Sequence, residues 1–136
     1  MSRLPFFVYG TLLPGEENHD VFLRGRTLSE APARLTGAVL YEGPGYPYAV
    51  EEPAGVVCGE LVTAEPHLYV QLLGALDRLE EYAPGDPANL YERVAREVTR
   101  ADGTRAWAWV YVAAPAVAAG LRAGGKLIEG GDWRTR

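Results

Sequence analysis

The segment from Thr63 to Glu81 is the stretch of this chain with a sustained helical period, and it limits the folds open to the rest. Pro66 suits the first turn of a helix, where its missing N–H costs nothing, and a Pro-Gly-Asp-Pro run at 84–87 ends the pattern. At about 100° per residue, one apolar arc of about 140° holds five leucines and a tyrosine: Leu68, Tyr69, Leu72, Leu73, Leu76 and Leu79. The sequence therefore predicts one principal helix over Thr63–Glu81, packed through a single face.

Short β-rich runs occupy much of the remaining chain. Asp102-Gly103 is a preferred tight hairpin turn, whereas the prolines and glycines of Glu42–Pro53 predict a loop. Short helices are expected around 16–24 and 116–123. The predicted fold class is α+β: a mixed, curled or closed β-barrel with one principal helix and short flanking helices, in a single domain over residues 1–136. The predicted strands are Leu4–Tyr9, Leu28–Tyr41, Val56–Thr63, Tyr91–Thr99 and Arg105–Ala113.

Charge and cysteine content argue against several kinds of partner. The 13 basic and 18 acidic residues give a net charge of −5, and the arginines at 93–105 alternate with acids, so no basic stripe for nucleic acid forms. No apolar run approaches the roughly 18 residues of a membrane span. Cys58 is the single cysteine, and His19 and His67 lie far apart, so no metal site is predicted. We expect a cytoplasmic protein that binds neither nucleic acid nor membrane.

Glu80 falls inside the apolar arc of the predicted helix, between Leu73 and Leu76. A carboxyl group in such surroundings should have a raised pKa, because desolvation disfavours its anion, and this suits acid/base work near neutral pH. The alternative is that the helix frays in its last turn and Glu80 faces water. The same projection places Asp77 and Glu81 on the solvated face.

A second candidate site is the turn Tyr9-Gly10-Thr11-Leu12, which follows the first predicted strand. Glycine at such a turn lets backbone N–H groups point at an anion, although an ordinary strand-to-loop turn is the alternative. The turn has neither nucleotide-binding glycine signature. Only two serines are present and no Gly-x-Ser-x-Gly, which excludes a serine triad, and Cys58 is expected to be a buried thiol within a strand.

Taken together, these short motifs resemble the γ-glutamylcyclotransferase-like, or AIG2-like, family, in order and over nearly the whole chain. The resemblance implies a small mixed β-barrel with helices packed outside it. The motifs that carry it are Phe7-Val-Tyr-Gly-Thr-Leu-Leu-Pro-Gly15 with Asn18-His19, Gly59-Glu-Leu-Val-Thr63, Leu76-Asp-Arg-Leu-Glu-Glu-Tyr82, Tyr91-Glu-Arg-Val94 and Gly131-Asp-Trp133.

The resemblance also implies an activity: release of 5-oxoproline and an amine or amino acid from a γ-glutamyl amide, with no cofactor and no metal. Glu80 would be the catalytic acid/base. The glutamyl group would be bound by the backbone of Tyr9, Gly10, Thr11 and Leu12, with Asn18 and Tyr91 nearby. A monomer or weak homodimer is expected, and the substrate is a small molecule.

Two departures from the family pattern bear on the site. Glu81 stands where the family usually has glycine, and it could raise the pKa of Glu80 by like charge. Thr11 replaces the commoner serine, as in the subgroup that acts on γ-glutamylamines.

Two other functions remain open from the sequence. One is a non-catalytic small-molecule-binding or interaction module on the same fold, and the other is a hydrolase in which water replaces the internal amine. The leaving group would be met by loops such as Glu42–Pro53 and Tyr82–Leu90, whose sequences do not identify it.

Overall fold

A computed structural model describes residues 3–136, which form six strands, three α-helices and short 3-10 turns. The strands are β1 (Phe6–Val8), β2 (Thr27–Glu42), β3 (Pro47–Ala64), β4 (Tyr91–Arg100), β5 (Arg105–Ala113) and β6 (Leu127–Ile128). The helices are α1 (His19–Phe22), α2 (Tyr69–Leu79) and α3 (Pro115–Gly124), and the 3-10 turns are Pro66–Leu68, Glu129–Gly131 and Trp133–Thr135. None of these helices is long and apolar enough to cross a membrane.

Five of the strands close into a barrel. Their order is β3-β1-β5-β4-β2, and β2 pairs again with β3, while β6 adds to β2 outside the ring. The barrel is mixed because β1 runs parallel to β5, whereas the other pairs are antiparallel. The predicted α+β class with a closed mixed barrel is confirmed.

The two longest strands, β2 and β3, form most of the barrel wall. Their bounds show that the prediction of a loop over Glu42–Pro53 is wrong for most of that segment. Much of the predicted loop Glu42–Pro53 is strand, because β2 reaches Glu42 and β3 starts at Pro47. Pro47 is compatible with this assignment because proline is tolerated at the first position of a strand. Pro53 is tolerated because the pairing jumps from Glu51 to Val56, so that residues 52–55 are unpaired.

The principal helix is shorter than predicted at both ends. Thr63 and Ala64 belong to β3, the turn Pro66–Leu68 is 3-10, and α2 runs from Tyr69 to Leu79. The helix stops there because Glu81 adopts a left-handed backbone conformation, with φ of 53°. The predicted apolar face is the buried one: Tyr69, Leu72 and Leu76 are the buried residues of α2, and the Tyr69 ring stacks on Phe6 of β1.

Candidate active site

An open cleft of about 380 Å³ lies where β1 ends, with part of its space continuous with solvent. It collects residues from the loop after β1, the start of β3, the turn after α2, and strands β4 and β5. The lining residues are Phe7, Val8, Tyr9, Gly10, Thr11, Leu12, Tyr46, Pro47, Glu80, Tyr91 and Tyr111. The structure therefore brings together six of the seven candidate site residues; Asn18 does not line this cleft.

The loop after β1 presents unused backbone donors. Among residues 3–136, no group accepts a hydrogen bond from the N–H of Gly10, Thr11 or Leu12. Gly10 is needed for the close approach of Pro47, because a Cβ at this position would lie 2.8 Å from two carbons of the proline ring. Three N–H groups at the edge of a cleft can bind an anion.

Asn18 supports this loop from behind. Its backbone N–H donates to the Thr11 carbonyl at 2.9 Å, and its side-chain Nδ2 donates to Thr11 Oγ1, also at 2.9 Å. Asn18 therefore holds the Gly10–Leu12 turn in shape.

Glu80 lines the cleft although the helix has already ended. It caps α2 with φ of −84° and ψ of 2°, and it makes no side-chain hydrogen bond with any residue in the range 3–136. Burial raises the pKa of its carboxyl group from the ordinary 4.5 to about 7. Glu80 is partly buried and lines the cleft, and burial is the cause of its raised pKa, without the expected contribution of Glu81.

Glu81 is exposed and occupies the left-handed backbone region that favours glycine. The resemblance to the γ-glutamylcyclotransferase-like family implies glycine at this position, so Glu81 carries an exposed carboxylate on a strained backbone beside Glu80.

The prediction that Asp77 lies on the solvated face is wrong, because its side chain is only 20% exposed. Arg93 donates from Nε to Asp77 Oδ1 at 2.9 Å and from Nη2 to Oδ2 at 3.3 Å. The Tyr111 hydroxyl donates to Oδ1 at 2.6 Å. A helical projection cannot show these partners, because they come from β4 and β5.

Three of the four tyrosines that line the cleft donate their hydroxyl proton to another group of the protein. Tyr9 donates to the Tyr111 carbonyl, Tyr91 donates to the Pro47 carbonyl at 2.8 Å, and Tyr111 donates to Asp77. Burial is the main cause that raises the pKa of all three phenols, and the nearby Glu80 carboxylate is a smaller cause for each.

Tyr111 is the polar cleft residue that the sequence reasoning missed most clearly. The Asp102-Gly103 hairpin sets the register of β4 and β5, in which Arg93 pairs with Tyr111 and Tyr91 with Ala113. Directly opposed residues share a face, as do Tyr91 and Arg93 at a spacing of two. The predicted hairpin therefore already contained the signal that places Tyr111 near Tyr91.

A second open space of about 560 Å³, part of it continuous with solvent, adjoins the cleft and is also lined by Glu80. It shares four residues with the cleft: Thr11, Tyr46, Glu80 and Tyr91. Its remaining lining residues are Glu17, Asn18, Leu79, Glu81 and Leu90. Glu80 thus borders both spaces.

Comparison with known proteins assigns this site to a family. Residues 6–135 match the family described as gamma-glutamyl cyclotransferase, AIG2-like. The chain belongs to this family. The match covers every residue that lines the cleft.

Two relatives carry cyclotransferase names. The chain is 37% identical over 107 residues to the gamma-L-glutamyl-butirosin B gamma-glutamyl cyclotransferase of Niallia circulans, covering 77% of this chain and 65% of that protein. The match thus spans just under two thirds of that relative's length. The chain is also 34% identical over 113 residues to a putative gamma-glutamylcyclotransferase of Halalkalibacterium halodurans, covering 82% of this chain and 90% of that protein.

Solved structures of the same fold include an uncharacterised protein from Pyrococcus horikoshii and an AIG2-like protein from mouse. The first has a TM-score of 0.63 at 25% identity and covers 97% of this chain and 91% of the other. The second has a TM-score of 0.61 at 26% identity, with 83% and 80% covered. The family and its named relatives support an enzyme activity of the γ-glutamyl cyclotransferase kind.

Proposed function

We propose that the protein releases 5-oxoproline and an amine or amino acid from a γ-glutamyl amide, with Glu80 as general acid/base. The observation that carries the proposal is a carboxyl group with a pKa of about 7 in a cleft that also holds the free N–H groups of Gly10, Thr11 and Leu12. A group with this pKa has substantial acid and base populations near neutral pH, so one residue can take a proton and later return it.

The substrate contains its own nucleophile, the α-amine. Glu80 takes one proton from the α-ammonium, and the nitrogen then attacks the γ-carbonyl carbon to close a five-membered lactam. The bond from that carbon to the amide nitrogen breaks as Glu80 returns the proton to the departing nitrogen. The attacking nitrogen loses a second proton, which the released amine takes up as an ammonium group, so the reaction needs no water.

Binding in the folded pose supplies much of the rate. Holding the amine against the γ-carbonyl converts ring closure into an oriented intramolecular step, for which effective molarity can contribute about 7–11 kcal/mol. The N–H groups of the Gly10–Leu12 turn would hold the negative charge of the glutamyl group or of the developing oxyanion. The second open space, which Glu80 also lines, would take the leaving group.

The test is turnover of a panel of γ-glutamyl dipeptides, γ-glutamylamines, γ-glutamyl-lysine and γ-glutamyl-butirosin B, with 5-oxoproline and glutamate both quantified. The butirosin compound is included because the Niallia relative is named for it. We expect 5-oxoproline from at least one substrate, and a fall of about 10²–10⁴-fold in the Glu80→Gln variant. Glu81→Gln is the matched control: it removes a carboxylate that takes no part in the proposed proton transfer, and it should lose far less turnover than Glu80→Gln.

The other outcomes separate the alternative functions. Glutamate without 5-oxoproline would indicate a hydrolase, and binding without any product would indicate a small-molecule-binding module. Turnover by Glu80→Gln close to the wild-type rate would refute the role of Glu80.

A further inference from the structure

The Tyr111 hydroxyl acts as the donor in its hydrogen bond to the protein, and this direction is fixed. Its single proton goes to Asp77 Oδ1 at 2.6 Å, and no group in residues 3–136 donates a hydrogen bond to its oxygen. The Tyr111 carbonyl also accepts the Tyr9 hydroxyl proton, so the residue is held at both ends. A phenol has one donor, and once that is used its oxygen can only accept from a further partner.

Asp77 cannot reverse this arrangement. Its two oxygens are paired with the Arg93 guanidinium, and a carboxylate in such a pair has no proton to donate. Arg93 is itself 14% exposed, with its guanidinium 4.4 Å from the centre of the Trp109 ring. The ion pair therefore keeps Tyr111 as the donor in this bond.

The Tyr91 hydroxyl is also fixed as a hydrogen-bond donor to the protein, for a different reason. It donates to the Pro47 carbonyl, and a carbonyl has no proton to give back. Tyr111, Tyr91 and Glu80 all line the cleft, so the two phenol oxygens and the Glu80 carboxyl group are the candidate acceptors for a ligand bound there. The complementary ligand group is one with several N–H donors on a single atom, and an ammonium group has three.

We propose that Tyr111 and Tyr91 accept hydrogen bonds from the α-ammonium of the substrate, and that Asp77 is a positioning residue that fixes Tyr111 in this role. The proposal rests on the proposed function, since it assigns the ammonium of a γ-glutamyl amide to this part of the cleft. After Glu80 removes one proton, two N–H bonds remain, and two fixed acceptors orient the nitrogen lone pair toward the γ-carbonyl.

The decisive experiment compares two ligands that differ only in the α-amine. The first is whichever of γ-glutamylethylamide, γ-glutamylalanine and γ-glutamyl-lysine is turned over fastest by the wild type, and the second is its glutaryl analogue, with hydrogen in place of the amine. Dissociation constants are measured by calorimetry in the Glu80→Gln background, in which turnover is slow. Tyr111→Phe should weaken the amine-bearing ligand by about 10–100-fold, as expected for a hydrogen bond to a charged group, and the glutaryl ligand by less than twofold.

Tyr82→Phe is the matched control. The Tyr82 ring packs edge-on against Tyr111 at 6.5 Å between centroids, but its hydroxyl bonds to no residue in the range 3–136. Removing that hydroxyl should leave the affinity for both ligands unchanged. The proposal would be overturned if Tyr111→Phe lowered the affinity for both ligands equally, or lowered the affinity for neither.

The role of Asp77 is tested in the same background. Asp77→Asn keeps an oxygen that can accept the Tyr111 proton, so its affinity for the amine-bearing ligand should stay within about threefold. Asp77→Ala removes the acceptor and should cost affinity for that ligand alone, with no further loss when Tyr111→Phe is already present. Asp77→Leu replaces Asp77→Ala if the latter does not fold.

Two results would show that Asp77 is only structural: equal losses for both ligands, or losses that add to those of Tyr111→Phe. The failure of the proposed function looks different. If the wild-type protein neither binds nor converts the γ-glutamyl compounds, both proposals are overturned. If it releases 5-oxoproline but Tyr111→Phe changes the affinity for the two ligands equally, only this proposal is overturned.

Discussion

The raised pKa of Glu80 makes a quantitative prediction about stability. Burial moves the pKa from 4.5 to about 7 in the folded state, so between these values the folded protein binds more protons than the unfolded chain. The free energy of unfolding must therefore fall as pH rises through this window. At about 1.4 kcal/mol per pKa unit, the full loss is about 3 kcal/mol, most of which falls between pH 5 and pH 8.

Urea unfolding at pH 5 and pH 8 isolates this contribution. Glu80→Gln does not titrate, so its free energy of unfolding relative to the wild type should rise by about 2–3 kcal/mol from pH 5 to pH 8. Glu81→Gln changes the adjacent, exposed carboxyl group and should follow the wild-type pH profile. A difference between Glu80→Gln and wild type that is the same at both pH values would refute the burial argument.

Three further predictions concern the cleft. Because Glu80 must be ionised to accept the first proton, kcat/KM should fall about tenfold per pH unit below an inflection near 7, measured as a pH–rate profile. Gly10→Ala should raise KM, because its Cβ would lie 2.8 Å from the Pro47 ring and reshape the turn proposed to bind the glutamyl group; Michaelis kinetics, with urea denaturation as the control for folding, would check this. Asp77→Ala should lower the free energy of unfolding by about 2–3 kcal/mol, because it leaves Arg93 unpaired in a largely buried place, and urea denaturation would measure the loss.

The sequence predicted the packing of the helix better than its ends. Tyr69, Leu72 and Leu76 are buried as the apolar arc required, because amphipathic periodicity reports directly on which face meets the core. Ala64 was assigned to the helix alone and Thr63 to both the strand and the helix, since a short stretch at such a junction fits either element. Their place in β3 depends on pairing with β2, which local sequence does not encode.

The candidate site was predictable where the signal was local. Glu80 stood out because a carboxyl group interrupts an apolar arc, and it borders the cleft even though the helix stops one residue earlier. Asp77 looked solvated because its partners, Arg93 and Tyr111, lie on two strands that reach it only in the closed barrel. The burial of a polar residue by distant partners leaves no periodic trace in the sequence.

The position of β1 between β3 and β5 has a consequence for how the molecule assembles. The Tyr9 hydroxyl meets the Tyr111 carbonyl, a partner 102 residues away along the chain, and Phe6 pairs with both Val62 and Trp109. Contacts of such long range form slowly, because much chain entropy is lost before they stabilise anything. During synthesis the Gly10–Leu12 turn is made long before β5, but it can be completed only after β5 has emerged, so we expect it to be among the last parts of the fold to become native.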